Sequence, residues 1–159
     1  LTQLRQAGFR LGIATGRPRL EILTPLQEWD FLRFFDAERI VTHDEVDTAE
    51  AELKNQGKHE LLGKPHPYVF VRSIYPREPL ETLLERCAHP LPDARQVLIV
   101  GDATADIWAA RQIGCPSAAL LSGAMGISGC RQLEEAKPDV ICHDFVELTH
   151  ALISRMRSP

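Results

Sequence analysis

Four short apolar runs, each closed by turn-forming residues and separated by helical stretches, constrain this chain more than any other feature. They are Arg10–Ala14 (RLGIA), Arg39–Thr42 (RIVT), Gln96–Val100 (QVLIV) and Ser117–Leu121 (SAALL), with a weaker fifth at Asp139–Cys142. Runs so short and so continuously apolar suit strands buried on both faces of a parallel sheet. Between them lie stretches of helical character: Leu20–Trp29, Pro67–Tyr75, Thr104–Ile113, Cys130–Ala136 and Phe145–Met156. The alternation predicts an α/β fold with a doubly wound parallel sheet. LTQLRQAG, Leu1 to Gly8, reads as the middle or end of an amphipathic helix with Leu1 and Leu4 on one face, so the chain is expected to begin in the middle of something. The acidic Asp44–Gly57 and the proline-rich Pro76–Ala94, which holds a short helix, break the rhythm and are expected to be surface insertions.

The 159 residues suffice for one domain with a proper core, and 1–159 is read as one. A net charge of -4 leaves no basic face for a nucleic acid backbone, so no nucleic acid partner is expected. No apolar run approaches the roughly 18 residues needed to cross a bilayer, and no membrane partner is expected. The four cysteines, Cys87, Cys115, Cys130 and Cys142, form no CxxC pair and are expected to be reduced thiols, with the cytoplasm as the location.

In an open parallel sheet, ligands bind beyond the carboxyl ends of the strands, so polar residues that follow a strand carry the chemistry. Three such stations occur. In IATGRP, Thr15 and Gly16 follow Ile13–Ala14, and a small hydroxyl with backbone N–H groups leading to a helix start makes an anion site; the competing reading makes Thr15 merely the helix cap. In GKPHPYVF, Lys64 sits on a loop stiffened by Pro65 and Pro67 and can bring a full charge to a phosphate, or else is a solvated surface lysine. In VLIVGDATADIWAARQIG, a strand runs into Gly101–Asp102, with Asp106 about one helical turn on. Two carboxylates there suit Mg2+, although Asp106 could simply favour the positive end of its helix. An apolar stripe follows at Ile107, Ala110 and Ile113, and Gly114 ends it.

The order of these stations resembles the haloacid dehalogenase-like superfamily of phosphatases and phosphotransferases, most closely its phosphoglycolate-phosphatase-type branch. The resemblance runs from LRQAGFRLGIATGRP through GKPHPYVF and VGDATADIWAARQIG to PDVICHDFVEL. It implies a Rossmann-like core in which Thr15 and Gly16 bind the phosphoryl group, Lys64 offsets its charge, Asp102 ligates Mg2+ and Asp106 supports the metal. It also implies a fourth station, an Asp-x-Asp pair whose first member attacks phosphorus and whose second is general acid/base. No Asp-x-Asp occurs in this sequence: Asp44 and Asp47 stand one position too far apart. Family order places the missing strand and a substrate-selecting cap upstream of Thr15, the strand lying between those of Thr15 and Asp102. The chain is therefore expected to be a truncated core that binds Mg2+ weakly and is inactive alone. Its open slot would be closed by direct pairing, by homodimerisation or by a borrowed strand. The complete protein is expected to hydrolyse a small phosphorylated metabolite, and Thr15, Lys64 and the Asp102/Asp106 pair are expected to converge on a single pocket at one rim of the sheet.

The alternative is a non-catalytic, degenerate binding or regulatory module. A response-regulator receiver is disfavoured because its acidic residues come first in the chain. Nucleotide-binding folds are disfavoured for want of GxxxxGK[ST] or GxGxxG, and Gly123, Gly126 and Gly129 in GAMGISG read as a flexible turn. His43, His59, His66, His89, His143 and His150 are scattered and read as structural or solvated.

Overall fold

The computed structural model describes residues 1–123 and 126–157, and in it the apolar runs become short strands alternating with helices. In chain order these are α1 (Thr2–Gln6), β1 (Ile13–Ala14), α2 (Arg19–Glu28), β2 (Ile40–Val41), α3 (His43–Asn55), α4 (Tyr68–Ile74), α5 (Leu80–Cys87), β3 (Ile99–Gly101), α6 (Thr104–Gln112), β4 (Ser117–Leu120), α7 (Gly126–Glu135), β5 (Val140–Cys142) and α8 (Phe145–Arg157). Every strand pair is parallel, β1 with β2 and β3 with β4 with β5, as the sequence predicts. The chain forms two compact units, one spanning Arg10–Ala88 and the other combining Leu1–Phe9 with the residues from His89 on.

In the Arg10–Ala88 unit, Ile13 lies opposite Ile40 and Ala14 opposite Val41. Ile40 and Val41 are buried, as are Val46, Leu53, Leu62, Val69, Val71 and Leu83 from the surrounding helices and loop. Each such side chain contributes about 1.5–3 kcal/mol through burial. Arg39 ties the unit together by donating to the carbonyls of Ser73 and Ile74 at 2.8 and 2.7 Å, where α4 ends and its last carbonyls lack helical partners.

In the other unit, β4 is the middle strand, and its alternate residues face opposite helix layers. Ala119 packs with Ile107 of α6 and Leu133 of α7, whereas Ala118 packs with Cys142 and with Leu148 of α8. Helices on both faces of one parallel sheet are the doubly wound arrangement. The stripe Ile107, Ala110 and Ile113 is fully buried. Gly114 then ends α6 at φ +70, a conformation that costs glycine least.

Several boundaries differ from the sequence reading. Asp44–Gly57 is no insertion: it belongs mostly to α3, whose Val46, Ala49 and Leu53 are buried while acidic residues cover the outer face. Its start is fixed by Thr42, whose N–H and hydroxyl both donate to Glu45 Oε2 at 2.7 and 2.6 Å. Pro76–Ala94 is not superficial either, because Leu83, Cys87, Leu91 and Ala94 are buried. Gly126 and Gly129 lie within α7 rather than in a turn, and residues 124–125 of that expected turn fall outside the described residues. The strands are shorter than the apolar runs: Arg39 and Gln96 fall in 3-10 turns instead. Among the described residues β1 pairs with β2 alone and β3 with β4 alone.

Candidate functional site

The loop after β1 is held rung by rung. The Thr15 N–H donates to Val41 O at 3.0 Å, continuing the ladder one residue past the strand. The Arg17 N–H donates to Thr15 Oγ1 at 3.2 Å, and the Arg19 N–H to Asp44 Oδ1 at 2.9 Å. Pro18 has no N–H to place. Gly16 is the exception: among the described residues its N–H has no partner. A Cβ built on Gly16 would meet nothing within 4 Å, and its φ is not positive. Neither packing nor torsion therefore demands glycine here. Thr15 does not cap α2, whose N-cap is Pro18; it accepts from Arg17 and keeps its own hydroxyl proton to donate.

Lys64 belongs to the same unit and is not a solvated surface charge. Its Nζ donates to Ala14 O at 2.8 Å, at the end of β1 and one residue before Thr15, and lies 4.7 Å from the centre of the Phe70 ring. The half-buried ammonium is thus anchored by a carbonyl of the strand that leads into the Thr15–Arg19 loop and by an aromatic face of α4. Beside it, His66 Nδ1 accepts the Tyr68 N–H at 3.2 Å and so serves the start of α4. Burial holds the His66 pKa below the ordinary range, with Glu60 partly opposing it, which favours the neutral ring this acceptor role needs.

The turn after β3 is built in the opposite manner. Asp106 is buried and its Oδ2 accepts the Ala103 N–H at 3.3 Å, so the helix-end role foreseen as the competing reading is present. A Cβ on Gly101 would stand 2.2 Å from Asp106 Oδ2 and 2.5 Å from its Cβ. A Cβ on Gly123 would stand 2.3 Å from the Oδ2 of Asp102, which is itself exposed. Each carboxylate therefore lies over a glycine that could be nothing larger.

Magnesium, the cation implied by the resemblance, needs near-octahedral oxygen donors. Among the described residues no three His, Cys, Asp or Glu side chains gather into a metal-holding group. Asp102 and Asp106 alone, the latter already engaged by Ala103, do not make a magnesium site. The cysteines are all unbridged. Burial pushes the Cys87 thiol up to about 12 and Cys115 to about 11, which removes both as nucleophiles near neutral pH. No helix among the described residues is long and apolar enough to cross a membrane.

Sequence reasoning missed Asp44 as a loop fastener, while His66, read as structural or solvated, is structural through its bond to the Tyr68 N–H. Asp44 was weighed only as a nucleophile, although an acidic residue following a strand could have been read as a loop fastener. The proline-flanked position of His66, just before a helix, was its available signal.

A family model described as HAD-hydrolase-like matches residues 61–148, more than half of the chain. The phosphoglycolate phosphatase of Salmonella choleraesuis is 30% identical over 152 residues, which cover 96% of this chain and 48% of that protein. An X-ray structure of a structural-genomics target matches with a TM-score of 0.86 at 30% identity, over 98% of this chain and 40% of that one. The crystal structure of a hydrolase from Pseudomonas syringae matches with a TM-score of 0.60 at 24% identity, over 96% of this chain and 55% of that one, a likeness of fold. The chain spans about half the length of the curated relatives it matches.

Proposed function

Because this chain belongs to the haloacid dehalogenase-like hydrolase family, we propose that it is the phosphate-gripping part of an enzyme that hydrolyses small phosphate monoesters. The observation that carries this reading is the Gly16 amide, whose N–H alone in the Thr15–Arg19 loop has no partner among the described residues, at a glycine nothing else requires. A phosphoryl oxygen there accepts from the Gly16 N–H and the Thr15 hydroxyl. The Lys64 ammonium, anchored one residue upstream, offsets its charge.

In the complete protein the nucleophile is the first aspartate of an Asp-x-Asp pair that this sequence lacks. Its carboxylate forms a bond to phosphorus as the ester P–O bond breaks, and the second aspartate protonates the leaving oxygen. Water, deprotonated by that same residue, then hydrolyses the aspartyl phosphate. The strand carrying the pair would add to an open sheet edge, for which a second copy of the chain is the competing occupant. In the complete enzyme Asp102 would be a hard-oxygen donor toward Mg2+, with the missing aspartates supplying further oxygens and Asp106, held by the Ala103 N–H, supporting the metal. The substrate class is a small phosphorylated metabolite, in keeping with the phosphoglycolate phosphatases among the relatives. Four free cysteines suit a reducing compartment such as the cytoplasm.

The test is a phosphatase assay, with and without Mg2+, of a protein extended upstream to include an Asp-x-Asp strand, beside the present chain. The extended protein should turn over only with Mg2+, and the present chain should not exceed background. Inactivity of both would favour a non-catalytic module, and equal activity would defeat the account of the nucleophile.

A further inference from the structure

The first turn of α3 touches the anion loop through three consecutive residues. The His43 N–H donates to Arg17 O at 3.0 Å, Asp44 Oδ1 accepts the Arg19 N–H at 2.9 Å, and Glu45 Oε1 accepts from the Arg19 guanidinium at 2.9 Å. Glu45 is itself locked by Thr42. The His43 contact is backbone to backbone and survives any substitution, and the Glu45 contact reaches only the far end of a long side chain. Asp44 alone among these side chains holds the loop's main chain.

We propose that Asp44 is a positioning residue for phosphate binding, a role that rests on the anion-loop reading above. By accepting the first N–H of α2 it fixes the exit of the loop, as Val41 O fixes its entry at Thr15. Gly16 lies between these two pins, so its N–H keeps one direction without any side chain of its own to aim it. The arrangement carries a cost in charge, since a carboxylate stands near an anion site and opposes the phosphate it helps to orient. Hydrogen bonding and charge therefore act in opposite senses at this residue, which makes the role separable from a structural one.

The experiment measures the dissociation constant of inorganic phosphate for the full chain by 31P line broadening, in wild type, Asp44→Ala, Asp44→Asn and Asp47→Ala. Urea unfolding midpoints are recorded alongside. Asp44→Ala should bind about fivefold more weakly, the scale of a lost side-chain cap. Asparagine keeps an oxygen acceptor and drops the charge, so Asp44→Asn should bind at least as tightly as wild type. Asp47, whose Oδ1 is 3.4 Å from His43 Nε2 and which makes no contact with the loop, should have no effect when removed. Equal affinity of Asp44→Ala and wild type would overturn the role while leaving the anion loop intact, as would an Asp44→Asn no better than Asp44→Ala. A wild type that shows no phosphate broadening would remove the anion-loop reading itself, and the role of Asp44 with it.

Discussion

The glycine after β1 and the glycine that ends β3 do opposite jobs. Gly16 faces open space with an unpartnered N–H, whereas Gly101 lies under the Asp106 side chain, with no room for a methyl group. Both turns follow a parallel strand, where ligands are expected. The difference teaches that the Asp106 side chain fills the space over Gly101, whereas the space over Gly16 is left open. A negative turn can organise itself against its helix N–H groups, because carboxylates are at hand to accept them. An anion-binding turn must keep a donor unsatisfied until the anion arrives.

The largest expected effect of breaking this contrast comes from alanine at the two glycines. Gly101→Ala should cost about 3 kcal/mol, because the Asp106 Cβ that it meets at 2.5 Å is fixed to the helix and cannot rotate away. Gly16→Ala should change stability by no more than about 0.5 kcal/mol, since nothing stands near it. Urea unfolding of both variants checks the pair, and equal losses would erase the distinction. A smaller effect separates the two carboxylates. Asp106→Ala should cost about 1 kcal/mol by orphaning the Ala103 N–H, whereas Asp102→Ala, at an exposed side chain with no such bond, should leave the unfolding midpoint where it is.

The smallest effect concerns the Lys64 loop. The folded pKa of His66 is lowered by burial, so on acidification the unfolded chain takes up that proton first. Stability should then fall as pH drops through about 6.5, the unfolded value, toward the lower folded one. Comparing Tm at about pH 7.5 and about pH 5.5, wild type should lose more than His66→Gln. Parallel losses would show that the His66–Tyr68 contact does not titrate.

Much of this was written in local pattern. The strand centres, most of the helices and the places of Thr15 after β1 and Asp102 after β3 follow from apolar runs and the polar residues that end them, whereas Lys64 follows α3 rather than a strand and was marked only by its flanking glycine and proline. What failed to read has specific causes. Residues 44–57 present so many charges that the buried stripe of Val46, Ala49 and Leu53 was overlooked, although its spacing is helical and Thr42 with Glu45 marks the start. Gly126 and Gly129 carry a turn signal that α7 overrides, since tertiary packing outweighs a propensity of about 1 kcal/mol per glycine. The tie between Asp44 and Arg19 joins residues 25 apart and belongs to no local pattern. The same holds for Lys64 and Ala14, 50 apart.

The central claim is that the Gly16 amide is an open anion donor. A 15N-resolved titration of this chain with inorganic phosphate tests it residue by residue. The Gly16 amide should move saturably, with Thr15 beside it, while the amides of Gly101 and Gly123 stay in place. A Gly16 signal that does not respond, or one that moves no more than Gly101, would contradict the account.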